Sequence, residues 1–225
     1  MGSKTSVKRW FLVALCVAVA AAGASAQRAD DNPITTYKGG RFILRHVSSG
    51  ECVIALQGTI TRDATSRFDD VVEKADGMHC SKPVILLLES PGGLVFDAID
   101  LARRVRARHV RTVARYRCAS ACSLIFLGGV ERVLWGSRAA IGLHQPSNLD
   151  CDRYGTSLAT HSIEDYLRDV VPSAADAIFK VITGTSCESI TWIFGQRAID
   201  LGIATKLEAP DVDVFGPEAG RRVTQ

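Results

Sequence analysis

Three short segments of this chain bring together residue types that can do hydrolytic chemistry in concert. The first, Glu89-Ser90-Pro91-Gly92-Gly93, follows the apolar run Val84–Leu88 and precedes a helical pattern opening near Leu94. Paired glycines at a strand-to-helix turn bare backbone N–H groups beside a helix N-terminus, which favours an anion or a developing oxyanion. The same pair also suits an ordinary tight turn that needs positive φ. The second segment, Cys118-Ala119-Ser120-Ala121-Cys122, again lies between a strand and a short apolar helix. A serine on so sharp a turn exposes its hydroxyl and leaves the next N–H free to face an oxyanion. That is the logic of a nucleophile elbow, although the G-x-S-x-G pattern is absent; the plainer role is a helix N-cap. The third, Gly142-Leu143-His144-Gln145-Pro146, ends an apolar strand with a histidine that can reach a neighbouring loop as a base or serve as a hydrogen-bonded structural group. His46, His79, His109 and His161 have no comparable setting and default to surface or structural roles.

The elements that must position these segments read as follows. Phe42–Val47 and Cys52–Leu56 form a hairpin about Ser48-Ser49-Gly50, and Asp63 to Ala75 is amphipathic at helical spacing. After the strand Val84–Leu88 comes a helix with Ala98, Ile99, Ala102 and Val105 on one face. Val110–Ala114 is a strand, Ala121–Leu127 a short helix, and Val133–Trp135 and Ala139–Leu143 are further strands. Ser162 with Asp165 resembles a capping box opening a helix through Val170, and Ser173 to Ile182 makes another after Pro172. Ile190–Leu201 alternates less clearly, with Gly202 as a helix stop. Continuous apolar strands alternating with helices predict one α/β domain with a mainly parallel sheet.

The N-terminus is of a different kind. Lys4, Lys8 and Arg9, the apolar run from Trp10 to about Ala22, and Ala24-Ser25-Ala26 make a three-part secretory signal, expected to be cleaved after Ala26, the alternative being an uncleaved anchor. The three basic residues account for the formal net charge of +3, so the mature chain is formally neutral and the charge gives no reason to expect a nucleic-acid partner. A composition of 47% hydrophobic and 23% charged residues excludes a disordered chain. Past the signal, no segment is long and apolar enough for a membrane span. Export also changes the cysteine arithmetic: Cys16 leaves with the signal, and Cys52, Cys80, Cys118, Cys122, Cys151 and Cys187 remain. An even number in an oxidising compartment predicts disulfides of open connectivity, in preference to a zinc site for which ligand spacing is lacking.

Joined in order, Ser-Pro-Gly-Gly, Ala119-Ser120-Ala121 and Gly-Leu-His-Gln-Pro resemble the Clp protease proteolytic subunit (ClpP) and the wider ClpP/crotonase superfamily, in its secreted or periplasmic ClpP-like branch. Ala55-Leu56-Gln57-Gly58-Thr59-Ile60 is similar to the family's opening strand, and Ala198 to Ala204 to its closing segment, so the resemblance spans residues 51–207. It implies a ClpP/crotonase-like fold, a mainly parallel sheet of repeated ββα units with flanking helices. The organisation it implies is a signal at 1–26, a flexible lead-in at 27–40, a ClpP-like domain at 41–207 and a peripheral tail at 208–225.

The resemblance further implies a serine endopeptidase with Ser120 as nucleophile, His144 as general base, and the Gly93 and Ala121 N–H groups as oxyanion hole. Gly92, Leu94 and Val95 would hold a peptide or protein substrate by strand-like pairing. No metal or cofactor is implied. Relatives commonly assemble, so a homo-oligomer is expected. The third member departs from the family: counting back from Gly202, the aspartate position falls near Ile190. Glu188 lies two residues away, and Asp150 or Asp152 can approach from the loop after His144; otherwise the site is a Ser–His dyad. Cys118 and Cys122 are expected to bond to each other or to the substrate loop and brace the turn. Two functions remain, an exported hydrolase and a catalytically silent module that binds peptides or assembles in the same groove.

Overall fold

A computed structural model describes residues 33–47, 49–147 and 157–209, besides the isolated Gly2. It opens with an antiparallel meander of β1 (Ile34–Tyr37), β2 (Gly40–His46) and β3 (Glu51–Gly58), with β2 and β3 in register from Gly40↔Gly58 to His46↔Cys52. Part of the stretch expected as a lead-in is therefore a strand. Ile34 pairs with Ile43, and the Tyr37 ring packs 5.4 Å from Phe42. Its half-exposed, polar ITTY sequence gives no alternation for a periodicity argument to find.

From β3 the chain alternates strand and helix. α1 (Arg62–Gly77) buries Ala64, Phe68, Val71, Val72 and Ala75 along one stripe. β4 (Ser81–Ser90), α2 (Val95–Ala107), β5 (Arg111–Ala119) and α3 (Ala121–Gly128) follow, then β6 (Arg132–Trp135) and β7 (Ala140–Leu143). β3, β4, β5 and β6 are mutually parallel, and their alternate residues fall into two apolar clusters. Ile54, Leu56, Leu86, Leu88 and Ala114 belong to the main core, while Val53, Ala55, Ile85, Leu87 and Val113 belong to a smaller one. Strands buried on both faces are why these segments read as unbroken apolar runs.

The C-terminal part corrects the sequence reading in three places. α4 (Ser157–Val170) starts before Ser162, because the buried stripe of Ile163, Tyr166, Leu167 and Val170 extends back to Ala159; the Ser162–Asp165 pair lies inside the helix and caps nothing. After α5 (Ala175–Gly184), the segment from Ile190 divides into β8 (Thr191–Phe194) and α6 (Gly195–Asp200), closed by Gly202 at φ 69°. Glu208, expected to begin the tail, ends β9 (Lys206–Glu208), which lies parallel to β6 and ion-pairs Arg111. The sheet order is β1-β2-β3-β4-β5-β6-β9, with β7 beside β5 and β8 beside β7. With antiparallel pairs at β1-β2-β3 and β7-β8, the sheet is mixed.

Two disulfides join described residues, Cys52–Cys80 and Cys118–Cys122. Cys187 is also disulfide-bonded, while Cys151 lies outside the described residues. Among the described residues, no helix is long and apolar enough to cross a membrane.

Candidate active site

Register brings the three chemical segments to one edge of the sheet. β5 is shared along its length: Thr112–Ala114 pair with β6, and Arg117–Ala119 pair with β7. On its other side Ser90 of β4 pairs with Cys118. The carboxyl ends of β4, β5 and β7 therefore lie side by side, and from them emerge Gly92-Gly93, Ser120 and His144. Parallel sheets place ligands outside such strand ends, where neighbouring connections diverge.

Ser120 is the pivot between β5 and α3, with φ 55° and ψ −128°. Positive φ in a non-glycine residue costs on the order of 1–3 kcal/mol and persists only where its surroundings over-determine it. Here the Ser120 N–H donates to the Gly142 carbonyl (2.8 Å), and the Ser120 carbonyl accepts from the Ser123 N–H (2.9 Å) and Oγ (2.6 Å). α3 is buried along its whole length, so the helix whose N-terminus faces Ser120 is fixed in the core. Cys118 and Cys122 close the turn from behind, with Cα atoms 5.2 Å apart.

The glycine pair fits against this turn. Gly92 has φ 109°, and a Cβ there would stand 2.6 Å from the Ser120 Cβ and 2.8 Å from the Ala119 carbonyl oxygen. Gly93 has φ 150°, and a Cβ there would collide with the Ile60 carbonyl oxygen. The Ile60 N–H donates to the Gly92 carbonyl (2.8 Å) and the Leu94 N–H to the Ile60 carbonyl (2.9 Å). In that bridge the Gly93 N–H and C=O point away from Ile60. Among the described residues, neither the Gly93 nor the Ala121 N–H donates to a backbone carbonyl. The bridge also narrows the expected substrate strand: the Gly92 carbonyl and Leu94 N–H are engaged with Ile60, leaving Gly93 and the Val95 N–H to pair outward.

His144 stands one residue past β7 and is half-buried. Burial lowers its pKa below the ordinary 6.5, partly offset by a backbone group of Gln145. Its Nδ1 is buried without a hydrogen-bond partner among the described residues. The β7–β8 register ends at Leu143↔Thr191, and Ile190, just before β8, packs its side chain over Gly142. Glu188 is exposed on the Ser186–Ser189 turn, its N–H donates to Ser186 Oγ (3.3 Å), and its carboxylate has no partner among the described residues. Asp150 and Asp152 lie outside the described residues. The loop after His144 is strapped to the end of α5 by Gln145 N–H to the Thr185 carbonyl (3.0 Å). No hydrogen bond joins Ser120 and His144; in ligand-free sites such contacts are commonly long and tighten on substrate binding. No cluster of metal-ligating side chains occurs among the described residues.

One feature escaped the sequence reading. A cavity of about 420 Å³ is lined by Glu89, Tyr116, Arg117, Ser137, Arg138 and Phe194. Arg115 and Arg138 lie 5.0 and 5.8 Å from the Tyr116 ring centroid, and Arg117 lies 5.0 Å from that of Trp192. The signal was the Arg115-Tyr116-Arg117 run, which interrupts an otherwise apolar strand.

No family model and no curated protein sequence matches the chain. Among solved structures, it is similar to a ClpP1 mutant from Listeria monocytogenes, with a TM-score of 0.58 and 16% identity over 70% of this chain and 91% of that one. Likeness at this identity is a likeness of fold. The chain has a ClpP-like α/β fold, a mixed sheet with six helices among the described residues.

Proposed function

We propose that the chain is an exported serine hydrolase, a ClpP-like peptidase of the ClpP/crotonase superfamily that acts through a Ser–His acyl-enzyme mechanism in the periplasm or outside the cell. Ser120 Oγ attacks a peptide or ester carbonyl, and His144 takes its proton and returns it to the leaving group. The Gly93 and Ala121 N–H groups receive the oxyanion, each such donor contributing about 3 kcal/mol to the transition state. The single observation that carries this reading is the left-handed Ser120 at the end of β5, with Gly92 packed against it on one side and β7 leading to His144 on the other. The lowered His144 pKa supports it further, since a base must be neutral at working pH. Either a shifted acid, Glu188 or Asp150 or Asp152, orients the ring, or the pair works as a dyad. The substrate is a peptide or protein, no nucleic acid or cofactor takes part, and the protein assembles as a homo-oligomer, in line with the family it resembles.

One observation favours the second reading, a silent module binding peptides in the same groove: among the described residues no acid partners His144 Nδ1. Turnover of a fluorogenic peptide or an activated ester decides between them. Ser120→Ala is expected to fall to background and His144→Ala by about 10²–10⁴-fold. Wild-type turnover in both variants, or none in the oxidised parent, would leave the binding module.

A further inference from the structure

The proposed nucleophile is bracketed by a bond that the hydrolase chemistry does not use. In a G-x-S-x-G elbow the positions two before and two after the serine carry no side chain. This chain has cysteines at those two positions, and they are bonded across the turn with Cα atoms 5.2 Å apart. Cys118 is the penultimate residue of β5 and Cys122 the second of α3, so the bond ties the incoming arm of the turn to the outgoing one.

Both cysteines are completely buried. Bonded sulfurs sit about 2 Å apart in any disulfide, whereas two unbonded thiol sulfurs need roughly 3.5–4 Å. Reduction therefore demands extra room in a closed core at the base of the turn. α3 cannot yield it, since Ala121 through Gly128 are all buried. β5 cannot either, because Cys118 is paired with Ser90 on one side and Ile141 on the other. The joint left to give is the turn, and Ser120 is its pivot.

We propose that the Cys118–Cys122 bond is the positioning device for Ser120, so that oxidation sets the site and the dithiol form leaves it idle. The inference rests on the hydrolase reading of Ser120 and adds its regulation. The switching step is thiol–disulfide exchange with a low-molecular-weight disulfide. The Cys118 Sγ–Cys122 Sγ bond forms, the donor's S–S bond breaks, and the donor departs as two thiols carrying the two protons and two electrons. A chain that meets oxidant only after export would keep its nucleophile inactive in the reducing compartment where it is made.

The test compares the oxidised full chain with Cys118→Ala/Cys122→Ala, which keeps the remaining disulfides, and with wild-type chain reduced, refolded, and then treated with glutathione disulfide. A nucleophile misplaced by an ångström loses on the order of 10²-fold in rate. The maximal fluorophosphonate labelling rate at Ser120 is expected to fall by about that factor in the reduced chain and at least tenfold in the variant. Probe affinity and far-UV dichroism should stay unchanged, and glutathione disulfide should restore the reduced chain. A merely structural bond would move dichroism and affinity as well. Amide exchange is the second readout: the Ser120 and Ser123 N–H groups, bonded to the Gly142 and Ser120 carbonyls, should exchange at least tenfold faster without the bond, while Leu86 and Leu88 do not change. Labelling at the oxidised rate in the folded reduced chain or the variant overturns the proposal. If no form labels, the hydrolase reading fails by itself, and unchanged exchange at Ser120 then overturns the positioning role too.

Discussion

The two described disulfides have nearly the same reach, Cα to Cα 5.5 Å for Cys52–Cys80 and 5.2 Å for Cys118–Cys122. Each also lies beside a non-glycine residue in left-handed conformation, His79 at φ 56° and Ser120 at φ 55°. Their consequences differ. Cys52–Cys80 encloses α1 over a sequence separation of 28, and His79 beside it is exposed. In the chain-entropy account that loop is worth about 3.6 kcal/mol, against about 2 kcal/mol for a separation of 4. The longer bond constrains the unfolded chain more. The shorter one contributes less to global stability, yet it holds the residue on which three strand ends converge. Where a cross-link sits, more than how many there are, decides whether it serves the frame or the site.

Substitutions at the sheet edge and in the frame should separate these roles. The largest effect is expected from Gly92→Ala, whose Cβ meets Ser120 and the Ala119 carbonyl. We expect kcat/KM to fall on the order of 10²-fold, checked by peptide hydrolysis at fixed temperature. Next comes Ile190→Asp, which puts a carboxylate at the position where the resemblance implies the third member. It should raise kcat about tenfold or more by orienting the ring. It should also move the acid limb of kcat/KM upward, because a neighbouring anion favours the imidazolium. In the parent that limb lies below pH 6.5, since burial lowers the His144 pKa. The linkage has the same sign: the unfolded chain takes the proton first, so the His144 contribution to stability is complete above pH 6.5 and is lost as pH falls through the folded value. The smallest effect on rate belongs to Cys52→Ala/Cys80→Ala. Turnover should stay within about twofold, while denaturant unfolding loses about 3–4 kcal/mol. A large rate loss there would erase the distinction between frame and site.

The sequence makes much of this frame legible and less of the edge. Ala98, Ile99, Ala102 and Val105 announce α2 because one face of that helix is buried and the other is wet. Val84–Leu88 reads as a strand because both of its faces are covered. β1 is illegible for the opposite reason, being a half-exposed edge strand held mainly by backbone pairing to β2. The three chemical segments can be picked out from residue type and turn chemistry. That they meet depends on β5 exchanging β6 for β7 partway along its length, a long-range pairing that no local pattern encodes. Ile190 is found by counting from Gly202, but its place over Gly142 needs the β7–β8 pairing, and the Arg117–Arg138 cavity needs three strands at once.

The proposed hydrolase depends first on Ser120 being a nucleophile. That is tested by treating the oxidised chain with a fluorophosphonate between pH 6 and 9 and mapping the adduct by tandem mass spectrometry. One adduct is expected, on Ser120, absent in Ser120→Ala and formed much more slowly in His144→Ala. An unlabelled Ser120 across that range, or a labelled serine elsewhere, would contradict it.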